Sequence, residues 1–130
     1  GRYLCGESGV IIAHVTQLKD KAHNLYVGIN TGMNALIRPA LYGSYHEIVN
    51  LTKLNQAASE LTTIVGPICE SADVLGYSRL LPPSEEGDVI LIATAGAYGE
   101  DMSSNYNMRK CPTPIFLEPS PSRSQHDNIR

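Results

Sequence analysis

Tryptophan is absent from this sequence, phenylalanine occurs once, and basic residues are few. Ten Lys and Arg stand against 13 Asp and Glu, a formal net charge of −3. A general nucleic-acid binder needs a basic face that displaces phosphate counterions, so this charge balance argues against that class. A run of about 20 apolar residues, as a membrane-spanning helix requires, is also missing, and no signal peptide opens the sequence. We therefore expect neither a nucleic-acid partner nor a membrane.

Cysteine is scarce as well, and Cys5, Cys69 and Cys111 are far apart in the sequence. Their spacing excludes the CxxC motifs of zinc and redox sites, and the odd number argues against a disulfide framework. The four histidines are scattered, so no spacing predicts a metal site. We expect a reducing compartment, which is the cytoplasm, or an organellar matrix in a eukaryote.

What the sequence does contain is a series of short apolar, β-branched runs separated by turn residues. These runs predict strands at 10–15, 25–29, 46–49, 62–66, 88–93 and 114–117. Pro39 limits the stretch 33–41 to a short helical turn or an ordered loop. Residues 1–117 are therefore predicted to form an all-β sandwich or barrel, and the Pro- and Ser-rich residues 118–130 a disordered polar tail. Because Gly1 stands in place of Met and patterned sequence begins at once, we expect a piece of a longer chain.

One candidate for chemistry is a thiol beside a carboxylate, at Cys69 and Glu70. The predicted strand 62–66 delivers both side chains into a turn. There the thiol could act as a nucleophile or donate a proton, and the carboxylate could bind a substrate ammonium. A buried cysteine next to a surface glutamate is the commoner arrangement, since free cysteine is among the most buried residue types.

Other candidates are polar groups suited to anions and rings. Arg38 and Tyr42 are four residues apart, and a guanidinium binds a carboxylate or phosphate through a planar fork. Arg2 is a further anion ligand, and Tyr98 lies between small residues that let the backbone approach a ligand. Salt bridges and an exposed turn explain the same residues without a ligand.

Taken together, ordered motifs along most of the chain resemble one family. They stand at 1–4 (GRYL), 6–9 (GESG), 32–34 (GMN), 36–42 (LIRPALY), 66–71 (GPICES), 73–75 (DVL), 96–99 (GAYG) and 102–107 (MSSNYN). This set is similar to the C-terminal β domain of the diaminopimelate decarboxylases, which are PLP-dependent decarboxylases with an alanine-racemase-like fold.

The resemblance implies an α/β barrel in another part of the full-length chain, which binds most of the pyridoxal 5'-phosphate (PLP). It implies conversion of meso-2,6-diaminopimelate to L-lysine and CO2 by a homodimer with shared active sites. The fragment alone is then expected to be inactive. The resemblance further implies that the substrate carboxylate is bound by Arg2, Arg38 and Tyr42. Tyr98 would contact the substrate and the cofactor. In the partner's site, Glu70 would bind the distal amino end and Cys69 would donate the proton.

Two alternatives stay open. One is a non-catalytic homologue, an antizyme-like or regulatory binding module that keeps the fold. The other is an ornithine- or arginine-type decarboxylase. Those enzymes favour Asp beside the cysteine, whereas Glu70 with the pair Arg38 and Tyr42 favours diaminopimelate.

Overall fold

The structure is a computed structural model that describes residues 1–21 and 24–118. The predicted tail at 118–130 therefore lies, apart from its first residue, outside the described residues. The regular elements are α1 (Arg2–Cys5), β1 (Ile11–Lys21), β2 (Asn24–Ile29), α2 (Arg38–Tyr42), β3 (Ile48–Asn50), β4 (Glu60–Val65), β5 (Val74–Leu81) and β6 (Val89–Ile92). Short 3-10 turns are formed by Gly6–Ser8 and Tyr106–Met108. Neither helix in the described part of the chain is long or apolar enough to cross a membrane.

Six strands form one sheet in the order β3-β6-β1-β2-β4-β5. All neighbours pair antiparallel except β2 and β4, which are parallel. The two outer strands approach each other, because a Cβ added to Gly76 on β5 would lie 2.8 Å from Cδ1 of Ile48 on β3. The sheet is therefore a nearly closed barrel, and the predicted all-β class is confirmed.

Alternate residues of the strands point into this barrel and form its core. Since successive side chains of a strand point to opposite faces, one apolar set is buried. The strand side chains that are almost fully buried are Ala13, Val27, Ile29, Ile64, Leu75, Ile90 and Ile92, and Leu36 from the connection between β2 and α2 packs with them. Each such Val, Leu or Ile stabilises the fold by roughly 1.5–3 kcal/mol relative to an exposed side chain.

Some predicted elements need correction. The strand predicted at 46–49 begins two residues later, as β3. The strand predicted at 114–117 does not form, and Ile115 and Phe116 are 85% and 86% exposed. The eight-residue strand β5 was not predicted at all. The short helical turn is α2, where Pro39 lies in the first turn and needs no N–H partner. Gly43 ends it with a φ of +64°.

Candidate functional site

Cys69 and Glu70 lie on the loop between β4 and β5, and both side chains are exposed. The buried-cysteine alternative is therefore wrong for Cys69. Asp73, only 3% exposed, fixes this loop because its carboxylate accepts the backbone N–H of Ile68 at 2.6 Å. The other oxygen of the same carboxylate accepts the N–H of Met33, also at 2.6 Å. One buried carboxylate thus joins the Cys69 loop to the loop that follows β2.

Two glycines make this arrangement of loops sterically feasible. A Cβ on Gly32 would lie 2.6 Å from either oxygen of Asp73. A Cβ on Gly66 would overlap both Asp73 and the backbone of Gly32. Burial raises the pKa of Asp73, while its two backbone hydrogen bonds and Arg109 act in the opposite direction.

Tyr106 joins Cys69 and Glu70 to form what we term the thiol–carboxylate cluster. Its hydroxyl donates a hydrogen bond to Oε1 of Glu70. This contact raises the pKa of Tyr106, first because Glu70 accepts the hydroxyl proton, and the nearby Cys69 adds to the effect. No role was predicted for Tyr106 from the sequence. The only signal was its place in the motif at 102–107, because the contact spans 36 residues of sequence.

A second group, the arginine–tyrosine cluster, consists of Arg38, Tyr42 and Tyr98. The Cζ atom of Arg38 lies 5.6 Å from the ring centroid of Tyr42 and 5.6 Å from that of Tyr98. Both distances suit cation–π contacts. Nη2 of Arg38 also donates a hydrogen bond of 3.3 Å to the hydroxyl of Ser44. Three of the predicted site residues are thus brought together.

The turn that carries Tyr98 packs against the start of the chain. Gly96 donates its N–H to the carbonyl of Gly6 at 3.2 Å, and Ala95 donates to Gly9 at 2.9 Å. A Cβ on Gly96 would lie 2.6 Å from the backbone nitrogen of Gly9, so this close approach requires glycine. A Cβ on Gly1 would lie 3.1 Å from the Tyr98 hydroxyl, which places the start of the chain beside that ring.

Arg2 follows on α1 and is exposed. No hydrogen bond, ion pair or ring contact of its side chain occurs among residues 1–21 and 24–118, so the structure does not attach it to either cluster. Within the same described ranges, none of these contacts links the two clusters to each other. No group of three His, Cys, Asp or Glu side chains that could hold a metal ion occurs in the part of the chain described.

The chain is similar in sequence to the proteins of one family. The family described as "Pyridoxal-dependent decarboxylase, C-terminal sheet domain" matches residues 2–96. Diaminopimelate decarboxylase from Archaeoglobus fulgidus is 48% identical over 109 residues, which cover 84% of this chain and 26% of that protein. The enzyme of the same name from Methanothermobacter thermautotrophicus is 38% identical over 117 residues, 90% of this chain and 27% of that protein. The chain thus spans about a quarter of the length of these curated relatives.

A solved structure agrees with the sequence matches. The crystal structure of diaminopimelate decarboxylase from M. jannaschii in complex with L-lysine superposes with a TM-score of 0.78 and 39% identity. The match covers 86% of this chain and 25% of that one.

Proposed function

Because the chain belongs to the pyridoxal-dependent decarboxylases, as their C-terminal sheet domain, we propose that it is part of an enzyme that converts meso-2,6-diaminopimelate to L-lysine and CO2. One observation carries this proposal: Cys69 and Glu70 are exposed together on one loop. The 48% identity to a diaminopimelate decarboxylase also supports diaminopimelate as the substrate.

Arg38 is the main ligand for the substrate's distal carboxylate. Within the described residues its guanidinium forms no ion pair, so its charge is available to an anion. A planar fork binds both oxygens of a carboxylate, and the Tyr42 hydroxyl adds one donor from the next helical turn. Arg2 is a third ligand, brought to the same region by the contact of the chain's first residues with the Tyr98 turn.

Glu70 and Cys69 act on the rest of the molecule. The Glu70 carboxylate binds the distal ammonium, and the Cys69 thiol supplies a proton. When the bond from carbon to carboxylate breaks, CO2 leaves, and the carbon that loses it takes the proton from Sγ of Cys69. PLP, when bound, withdraws the electron pair of that bond.

Tyr98 is the residue of this chain that fits a contact with PLP. Its ring is 43% exposed on a turn of small residues, beside the guanidinium of Arg38. The lysine that binds PLP covalently and the phosphate site are expected in the other three quarters of the full-length protein.

The two clusters serve different subunits of a homodimer. Arg38, Tyr42 and Tyr98 contribute to the site of their own chain, whereas Cys69 and Glu70 contribute to the partner's site. The lack of any contact between the clusters within the described residues supports this division. A cytoplasmic location agrees with the three free cysteines.

The test uses the full-length protein and follows CO2 release from meso-diaminopimelate, L-ornithine and L-arginine. Cys69→Ala should lower kcat for diaminopimelate by about 10²–10⁴-fold with a smaller change in KM, because a proton donor acts mainly in the transition state. Cys5→Ala is the matched control, since this thiol is also exposed but lies outside both clusters.

The outcomes separate the alternatives. Full turnover by Cys69→Ala contradicts the proton-donor role. Faster turnover of ornithine or arginine supports the corresponding decarboxylase instead. A wild-type protein that acts on none of the three substrates supports a non-catalytic homologue.

A further inference from the structure

Tyr106 contacts Glu70, the proposed ligand of the substrate's distal ammonium, but has no role in the reaction proposed above. Its hydroxyl donates to Oε1 of Glu70. Among residues 1–21 and 24–118 no other group forms a hydrogen bond or an ion pair with that carboxylate, so Oε2 is free. One oxygen of Glu70 is therefore held and the other is available to a ligand.

Packing alone does not hold Tyr106 in this place. The side chain is 46% exposed, and no residue of the turn Tyr106–Met108 is buried. Asn107 and Met108 both have a φ of +56°, and this left-handed region is unfavourable for a side chain such as that of Met108. Other contacts must offset this cost.

Those contacts come from Asn34, which is 4% exposed. Its carbonyl accepts the N–H of Ser104 at 2.8 Å, and its Nδ2 donates to the carbonyl of Arg109 at 3.5 Å. These two bonds bracket the Tyr106 turn on either side. The thiol of Cys111, which follows the turn, also donates a hydrogen bond of 3.0 Å to the carbonyl of Ser104, which precedes it.

The buried carboxylate of Asp73 helps to fix the positions of both Tyr106 and Glu70. Asp73 binds the backbone of Met33, the neighbour of Asn34, and the backbone of Ile68, two residues before Glu70. The separation of Tyr106 from Glu70 is thus fixed by buried backbone contacts on both sides. Two exposed side chains that met by chance would have no such framework.

We propose that Tyr106 is a positioning residue that directs the free oxygen of Glu70 toward the substrate's distal ammonium and so sets specificity for substrates that carry it. This inference rests on the proposed function of Glu70. A neutral donor suits the task, because it orients the carboxylate without cancelling its charge. Since the Glu70 contact raises the pKa of Tyr106, the hydroxyl keeps its proton at physiological pH. A carboxylate oriented before binding loses less conformational freedom when the ligand arrives.

The direct test is Tyr106→Phe in the full-length enzyme, which removes a single oxygen atom. We expect KM for meso-diaminopimelate to rise about 10-fold and kcat to change less than about twofold, the loss typical of a hydrogen bond to a charged group. Tyr3→Phe is the matched control, because that ring is 95% exposed and forms no hydrogen bond within the described residues.

A substrate analogue distinguishes positioning from a general structural effect. The product L-lysine retains the L centre of meso-diaminopimelate, so CO2 is lost from the D centre. The analogue D-2-aminopimelate keeps this D centre and the distal carboxylate and lacks only the distal amino group. Its inhibition constant should be the same for wild type and Tyr106→Phe. Equal losses for both compounds would overturn the proposal, and so would a KM that does not change. Adding Glu70→Gln to Tyr106→Phe should raise KM no further than Glu70→Gln alone, because the tyrosine acts through the glutamate.

Binding measurements keep this inference separate from the reaction itself. If the wild-type enzyme releases no CO2, the proposed function fails, and calorimetry with L-lysine and 6-aminohexanoate then tests Tyr106. L-lysine carries the distal ammonium and 6-aminohexanoate lacks it. Tyr106→Phe should weaken L-lysine binding about 10-fold and leave 6-aminohexanoate unchanged. A wild-type enzyme that does not bind L-lysine would overturn the role of Tyr106 as well.

Discussion

At the scale of single residues, Arg38 shows how much the shape of one side chain matters. Its guanidinium lies 5.6 Å from two tyrosine rings and still reaches Ser44. A flat, delocalised cation can contact rings with its faces and hydrogen-bond through its edge at the same time. A lysine ammonium carries the same charge but offers no such face.

Arg38→Lys should therefore lower kcat/KM of the full-length enzyme for meso-diaminopimelate by at least about 10-fold, although the charge is kept. The measurement is steady-state CO2 release. Lys21→Arg, a Lys/Arg exchange in the opposite direction at an exposed position, should have no effect. Unchanged activity of Arg38→Lys would make a plain surface cation the better description of this residue.

His46 is a buried titratable residue close enough to Arg38 for that positive charge to lower its pKa. It is 3% exposed, and Nδ1 donates a 3.0 Å hydrogen bond to the carbonyl of Ala93, close before the Tyr98 turn. Nε2 has no partner in the described part of the chain. Burial lowers the pKa of His46 because the imidazolium would lose its hydration, and the positive charges of Arg38 and Arg79 act in the same direction.

This lowered pKa predicts a loss of stability in mild acid. Below the unfolded-state pKa of about 6.5, unfolded chains bind a proton that the native His46 resists, so stability falls as the pH drops from about 6.5 toward the lower native value. The thermal midpoint of the full-length protein should decrease between pH 7.5 and 5.5. His46→Gln should reduce this decrease, whereas His14→Gln, at an exposed position, should not. An identical pH dependence in wild type and His46→Gln would contradict the assignment.

At the scale of elements, the sequence predicts those strands whose own residues favour extended backbone. β4 and β6 are rich in Val, Ile and Thr, β2 contains Tyr, Val and Ile, and all three were predicted within one or two residues. β5 contains Gly76 and Ser78, the latter with a φ of +51°, and its register with β4 shifts twice. It is a strand because it pairs with β4, and composition does not reveal that pairing. Residues 114–117 show the reverse, because they have suitable composition but no partner strand in the described chain.

The candidate site likewise has residues that the sequence predicts and contacts that it does not predict. Cys69, Glu70, Arg38 and Tyr42 could be selected because each carries recognisable chemistry. The contacts that arrange them join residues 40 apart for Asp73 and Met33, or 36 apart for Tyr106 and Glu70. Local sequence patterns do not encode such contacts, so neither the buried Asp73 nor the Tyr106 hydrogen bond could be predicted.

The β4–β5 loop gives a prediction at this scale. Gly66→Ala should destabilise the full-length protein by about 1–3 kcal/mol, because the added methyl group must displace Asp73 and the backbone of Gly32. Thermal unfolding measures the stability, and kcat reports the placement of Cys69. Gly6→Ala is the control, since nothing lies within 4 Å of its added Cβ. If both variants unfold at the wild-type temperature, the loop can relax and the steric argument is wrong.

At the scale of the whole molecule, the proposed dimer has a natural contact surface on the β4–β5 hairpin. Leu61 and Leu80 pair across these strands, and they are 62% and 58% exposed. Tyr77 on the same hairpin is 68% exposed. The hairpin that carries Cys69 and Glu70 thus also presents apolar surface, as a subunit contact would require. In a two-fold dimer the same surface is used by both partners.

Subunit mixing tests this arrangement. Full-length Arg38→Ala and Cys69→Ala should each be inactive. After exchange in equal amounts, about half of the dimers are mixed, and each mixed dimer has one site with both lesions and one with none, so about a quarter of wild-type activity should return. If both residues acted in the same chain, every site would carry one lesion and nothing would return. Each variant mixed with itself must stay inactive, and exchange must be shown independently, by mass spectrometry of the mixed dimer.

The shared carboxylate of Asp73 has a consequence for protein engineering and for evolution. Gly66 and Asp73 are the first and last residues of the Cys69–Glu70 loop, whereas Gly32 lies in the loop after β2. Anyone grafting the Cys69–Glu70 loop onto another sheet domain would therefore have to transfer Gly32 with it, although Gly32 lies more than 30 residues earlier in the sequence. Replacement of either glycine by a larger residue leaves no room for the carboxylate, and loss of the carboxylate leaves two loops without their common anchor. Among homologues, these three positions should therefore change together or not at all.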